Sequence, residues 1–224
     1  MDSQEDPSVT RTDLRPAAAE LDRLIAGVDD DQLDVLTPCE GWAVRDLLMH
    51  IRGFAAASTA AARRNPFPVD SPELRDGLRD DWRERLPHQL DSLAQAWADP
   101  QAWEGWAEAG GIRTPATVAG SAALQELLLH GWDLAQATGQ PYRPDPDSVH
   151  ACLDFLSSLP EEDRARPFGP RLVAPDDAPP LERLLAISGR GRGPGDRGRG
   201  GSNSRAKARP ACVICPQVTQ LPMF

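Results

Sequence analysis

Glu126 and His130 stand four residues apart inside the run Gln125-Glu126-Leu127-Leu128-Leu129-His130-Gly131-Trp132. On an α-helix that spacing sets both side chains on one face, one turn apart. A buried ionised carboxylate is costly unless it is paired or binds a metal. The pair therefore reads either as two ligands of one metal ion or as a buried Glu–His hydrogen bond. Spacing alone fits both equally.

A metal needs a third ligand, and the chain offers three other histidines. His88 sits on a strongly charged segment beside Pro87, and His150 follows Val149 at the start of a helical run. Both read as surface or boundary residues. His50 lies in Leu47-Leu48-Met49-His50-Ile51, with Leu47 and Phe54 on its own side. A single histidine on an apolar face is usually a satisfied core residue. Here a Glu–His pair on another long core helix makes it a candidate ligand. Two imidazoles and one carboxylate leave coordination positions open, which suits catalytic zinc or another borderline divalent ion such as nickel, iron or cobalt. Zinc can bring the pKa of a bound water to about 7 and deprotonate a bound thiol.

These residues must be positioned by helices. Apolar residues recur at helical spacing over Asp13 to Val28, Trp42 to about Arg64, and Glu73 to Ala98. Asp29 to Leu36 reads as a turn or short helix. Residues 99–114 form a long connection, with Gly110-Gly111 suggesting a short strand pair. Thr114 is the expected N-cap of a fourth helix that begins at Pro115, runs to Thr138 and stops at Gly139. Asp147 to Leu159 and Leu181 to Ile187 complete the helices. The fold class expected is all-α, a four-helix bundle with one long crossover and short additional C-terminal helices. Bundles of this kind commonly build metal sites from facing helices.

The 224 residues, 40% hydrophobic and 26% charged, suit a globular protein with one main domain. No apolar run is long enough to span a membrane. The acidic start, Met1-Asp2-Ser3-Gln4-Glu5-Asp6, does not resemble a secretory signal, so the cytoplasm is the expected compartment. Residues 1–11 read as a disordered N-terminus and 12–188 as the bundle.

Composition changes abruptly at Gly189. Residues 189–224 hold seven Arg/Lys and one acid, leaving 17 basic and 33 acidic residues for the other 188. The acidic body should repel nucleic acid phosphates. The Gly/Arg-rich tail reads as disordered. It is either a non-functional extension or a segment able to bind nucleic acid. Cys212 and Cys215 have no second pair nearby, so they make a poor zinc site. Cys39 and Cys152 read as buried free thiols.

Three segments carry a family resemblance. Thr37-Pro38-Cys39-Glu40-Gly41-Trp42-Ala43-Val44-Arg45-Asp46-Leu47-Leu48-Met49-His50 resembles the "TPCxGWxVRDLLxH" entry to helix two of the mycothiol-dependent maleylpyruvate isomerase family, whose metal-binding domain is DinB-like. His130-Gly131-Trp132-Asp133-Leu134-Ala135-Gln136-Ala137-Thr138-Gly139 resembles its "HGWDLAxATG" helix. Phe168-Gly169-Pro170, Asp176-Asp177-Ala178 and Arg183-Leu184-Leu185-Ala186 look like the ending of its short members.

The resemblance covers roughly residues 12–190. It implies a DinB-like bundle holding a divalent metal, with zinc the expected ion. The family's ligands fall on His50, Glu126 and His130. It also implies an isomerase or S-transferase in which mycothiol, or a similar low-molecular-weight thiol, reacts with a small electrophile. A homodimer is consistent with the superfamily. The rival reading is a non-catalytic metal-binding regulatory or binding module.

Asp133, one turn below His130, is placed either to accept from an imidazole N–H or to serve as a surface or capping carboxylate. Trp42 and Trp132 are expected to pack the bundle end. Ala43 stands where the family has Thr or Ser as an N-cap, which should leave helix two less firmly started. Residues 140–188 are too short for the family's further C-terminal domain. Family members of this kind end close to Ser188-Gly189-Arg190, and the text beyond looks like translation in an altered reading frame.

Overall fold

The computed structural model describes residues 11–65, 67, 77–109, 112–161, 168 and 170–191. Six α-helices dominate: α1 (Arg15–Ala26), α2 (Val44–Ala62), α3 (Trp82–Ala98), α4 (Ala116–Thr138), α5 (Pro146–Ser158) and α6 (Pro180–Ile187). The only sheet among the described residues is an antiparallel ribbon of β1 (Trp106–Ala109) and β2 (Ile112–Pro115). The expected all-α, DinB-like architecture is the observed one.

The first four helices form a ring. Helix α1 packs on α3 and α4, and α2 packs on the same two, so α1 and α2 lie diagonally opposite. Each contributes an apolar stripe, including Leu21, Leu24 and Ile25 from α1, Leu47, Leu48 and Ile51 from α2, and Leu86, Leu90 and Leu93 from α3. Helix α4 is different, because every residue from Ala119 to Ala135 is buried. Helices α1 and α2 cover it on two sides and α5 on another. Polar residues within that stretch are therefore largely shielded from bulk water, and must find most of their partners inside the protein.

Helix α3 starts at Trp82, not at Glu73. Residues 71–76 lie outside the described set, and 77–79 are not helical. Buried Arg52 of α2 donates from Nη1 to the Gly77 carbonyl at 3.1 Å. A carbonyl turned toward that guanidinium is drawn away from a helical hydrogen bond. The N-cap of α4 is Pro115, not Thr114. Thr114 pairs with Ala107 across the ribbon, so its backbone is committed to the strand. Gly139 adopts a left-handed conformation, φ 69°, and Gln140 N–H caps the Ala135 carbonyl, as a helix-ending glycine should.

Close packing of the 99–115 connection depends on one small residue. A Cβ on Gly120 would stand 2.5 Å from the Trp103 ring. Trp103 in turn donates from Nε1 to the Trp97 carbonyl and meets the Trp97 ring edge-on. Gly189 and Arg190 donate their N–H groups to Ala186 and Leu185, which fastens the chain beyond α6 to the body. Residues 192–224, with Cys212 and Cys215, lie outside the described residues. No helix among the described residues is long and apolar enough to cross a membrane.

Candidate metal centre

Three elements build the site. Helix α2 supplies His50, α4 supplies Glu126, His130 and Asp133, and the loop before α2 supplies Cys39 and Trp42. That loop is held tightly. Leu36 bridges Ala43, Thr37 N–H and Oγ1 both donate to the Trp42 carbonyl, and Trp42 N–H donates to Cys39. Gly41, φ 80°, takes the turn position that disfavours a side chain. Asp46 then accepts from Ala43 N–H at 2.8 Å, giving one half of a capping box. The methyl group of Ala43 cannot supply the other half, as its residue type led us to expect.

His50, Glu126 and His130 converge. His50 Nε2 lies 3.0 Å from Glu126 Oε2, and His130 Nε2 lies 3.1 Å from the same oxygen. The ligand-type atoms of all three lie within 4.8 Å of one another. Trp42 covers them, its ring 5.0 Å from that of His50 and 6.3 Å from that of His130. Trp132 packs into the core, whereas Trp42 stands at the site itself. His88 and His150 are exposed, away from this cluster.

The other face of His130 carries a second network. Asp133 is 0% exposed. Its Oδ2 lies 3.0 Å from His130 Nδ1 and accepts from Cys39 Sγ at 3.2 Å and Arg190 Nη2 at 2.7 Å. Its Oδ1 accepts from Arg190 Nε at 3.0 Å. Asp133 is thus the acceptor for the imidazole, and not a surface carboxylate. Burial alone would push its carboxyl up. The Arg190 charge and the hydrogen bonds from His130 and Arg190 outweigh burial, holding it well below the usual carboxylate range. Cys39 moves the other way, its thiol pushed up by burial and by the Asp133 charge.

This second network constrains the first. An ionised Asp133 accepting from Nδ1 assigns the proton of His130 to that nitrogen. In the neutral ring, Nε2 then presents its lone pair toward Glu126 Oε2. Glu126 is 2% exposed, and its carboxyl is also held low, the imidazoles overcoming the upward push of burial. Two lone pairs at 3.1 Å repel unless a cation intervenes or the ring takes a second proton. His50, Glu126 and His130 therefore fit a divalent cation chemically: two nitrogen donors and a carboxylate aimed at one place, with an oriented second nitrogen behind one of them.

Cys39, His130 and Asp133 also place ligand-type atoms within 4.8 Å of one another. Asp133 in this set already has a cationic partner, since Arg190 makes two charged hydrogen bonds to it. This set is a positioning network, and a poor host for another cation.

Comparison with known proteins agrees with this geometry. Residues 14–135 match the family described as the mycothiol maleylpyruvate isomerase N-terminal domain. The chain belongs to that family. His50, Glu126, His130 and Asp133 all lie within the matched residues. Two curated relatives, "Uncharacterized protein Rv0738" and "Uncharacterized protein MT0763", come from two strains of Mycobacterium tuberculosis. Each is 30% identical over 179 residues, covering 75% of this chain and 90% of the relative. No solved structure matches the chain significantly.

Sequence reasoning missed Arg190 and the part played by Cys39. Arg190 looked like the first basic residue of a low-complexity tail. The usable signal was indirect: a carboxylate in the middle of a fully buried helix needs a cationic partner, and the apolar run of α6 ends just before Arg190. Cys39 is the buried free thiol expected, but it donates to the same carboxylate.

Proposed function

We propose that this protein is a divalent-metal-dependent enzyme of the cytoplasm that uses a mycothiol-like thiol against a small electrophile, as an isomerase or S-transferase. Zinc is the ion best suited to the two imidazoles and one carboxylate. The observation that carries the reading is the orientation of His130: Asp133 accepts a hydrogen bond from Nδ1–H, leaving Nε2 directed at the Glu126 oxygen that also meets His50. Family membership supports the choice of thiol.

His50, Glu126 and His130 would hold the ion, which when bound would stabilise a thiolate at neutral pH and keep a coordination position for it. Asp133 fixes the ring plane and tautomer of His130. Arg190 keeps Asp133 ionised and pinned by two bonds. Trp42 excludes water from one side of both imidazoles, which strengthens electrostatic interactions within the site.

The test is metal content together with thiol-dependent turnover. Protein purified in zinc should carry about one equivalent, and the His50→Ala/His130→Ala double variant should carry none by elemental analysis. Unchanged zinc in that variant would falsify the site assignment. The wild-type protein should consume electrophiles from a broad panel only when mycothiol is present. Zinc bound without any turnover would favour the metal-binding module.

A further inference from the structure

Gln125 is a polar residue in the most enclosed part of α4, one position before Glu126, and no role described above requires it. It is 3% exposed. Taking an amide out of water is unfavourable unless its groups are hydrogen-bonded, and an apolar side chain would fill a core position without that cost. The partner its amide has found is therefore informative.

That partner is Glu126. Gln125 Nε2 donates to Glu126 Oε1 at 3.3 Å. Successive residues of a helix project about 100° apart, so the Gln125 side chain must curl around the helix to make this contact. The two oxygens of the Glu126 carboxylate consequently have different neighbours. Oε2 lies 3.0 Å from His50 Nε2 and 3.1 Å from His130 Nε2, whereas Oε1 accepts from an amide N–H.

The division bears on how many positions an ion would keep open. Zinc held by protein ligands is ordinarily four-coordinate. His50 and His130 would supply two nitrogens. Glu126 bound through one oxygen would leave the fourth position for a thiol, and Glu126 bound through both would fill it. A hydrogen bond on Oε1 competes with donation from that oxygen to a metal, because both draw on the same lone pairs.

We infer that Gln125 is a positioning residue for the thiol: it holds Oε1 back, so that Glu126 offers the ion Oε2 alone and a coordination position stays free for a thiolate. The inference rests on the metal-dependent reading proposed above. It deepens that reading by naming the side chain that keeps the site open, which acts through Glu126.

Cobalt(II) in place of zinc tests this, because its visible absorption is strong in four-coordinate sites and weakens as ligands are added. Full-length wild-type protein loaded with cobalt should bind 2-mercaptoethanol, read as a new sulfur-to-metal charge-transfer band. Gln125→Met fills a similar volume and removes the donor. Its visible bands should be weaker, as the second carboxylate oxygen joins the ion. It should also need about tenfold more thiol for half-saturation, the loss expected for a hydrogen bond to a charged group. A side chain that only packed the core would leave both readouts unmoved. A crystal structure of the zinc-loaded wild type, which depends on no variant, should show Oε2 alone on the ion and Gln125 Nε2 still on Oε1. Unchanged bands and thiol titration in Gln125→Met, or both Glu126 oxygens on zinc in the wild type, would overturn the inference and leave the metal site standing. Failure of the wild type to bind cobalt or zinc would remove the metal reading itself, and this inference with it.

Discussion

The two sides of the His130 ring make an instructive pair. On the Nε2 side stand His50 and Glu126, and on the Nδ1 side stand Asp133 and Cys39. Both sets bring three ligand-type atoms within the same 4.8 Å, and both are buried. Arg190 separates them. Its guanidinium binds both oxygens of Asp133, so the Nδ1 side already contains its cation. The Nε2 side has a carboxylate oxygen shared between two imidazoles. Proximity of donors alone thus does not distinguish the two clusters, whereas the guanidinium already bound at one of them does.

Removing that guanidinium should have the largest effect. Arg190→Ala leaves Asp133 buried without its guanidinium, a change expected to cost about 3–5 kcal/mol in chemical denaturation of the metal-free protein. It also makes the two sides of the ring alike. Elemental analysis of the variant in excess zinc or cadmium should then show a second equivalent, with Cys39 as a ligand. A single equivalent would mean that charge is not what distinguishes the two sides.

Asp133→Asn should act on the Nε2 side without touching a ligand there. The amide can accept from Nδ1–H, but it lacks the charge that fixes the tautomer. Metal affinity should fall about 10- to 100-fold in a competition assay with a chelator. The pH dependence of folding should change as well. Both Asp133 and Glu126 titrate below their ordinary values in the folded protein. Their contribution to stability is therefore full above an unfolded-state pKa of about 4, and is lost as pH falls through the lower folded-state values. Denaturation of metal-free protein between about pH 5 and about pH 2 should show a shallower loss in the variant than in the wild type.

The smallest effect concerns the helix that presents His50. Ala43→Ser would complete the capping box with Asp46, and should raise stability by about 1 kcal/mol in thermal or urea unfolding. Metal affinity should be unchanged, because the cap orders the start of α2 and does not touch the donors.

The Nε2 side was legible in the sequence, and the Nδ1 side only in part. Glu126 and His130 share a helix, so their separation alone placed them together, and His50 stood out as a histidine within an apolar stripe. The same helical arithmetic put Asp133 one turn from His130, but left open whether it meets the imidazole or the surface. Arg190 reaches Asp133 across 57 residues, and no local periodicity encodes such a contact. The bundle was readable for similar reasons, since its stripes repeat every three to four residues. The misplaced boundaries lie where tertiary contacts take over: Gly77 serves Arg52, and Thr114 serves the ribbon.

Arg190 also has a practical consequence for anyone choosing where to shorten the polypeptide. Composition invites a cut after Ser188, where globular text gives way to glycine and arginine. A protein trimmed there would keep every proposed metal ligand and nearly the whole bundle, yet it would lose the counter-charge of Asp133. Trimming after Gly191 instead would retain that counter-charge, so only the longer product is a fair test of what the remaining tail contributes.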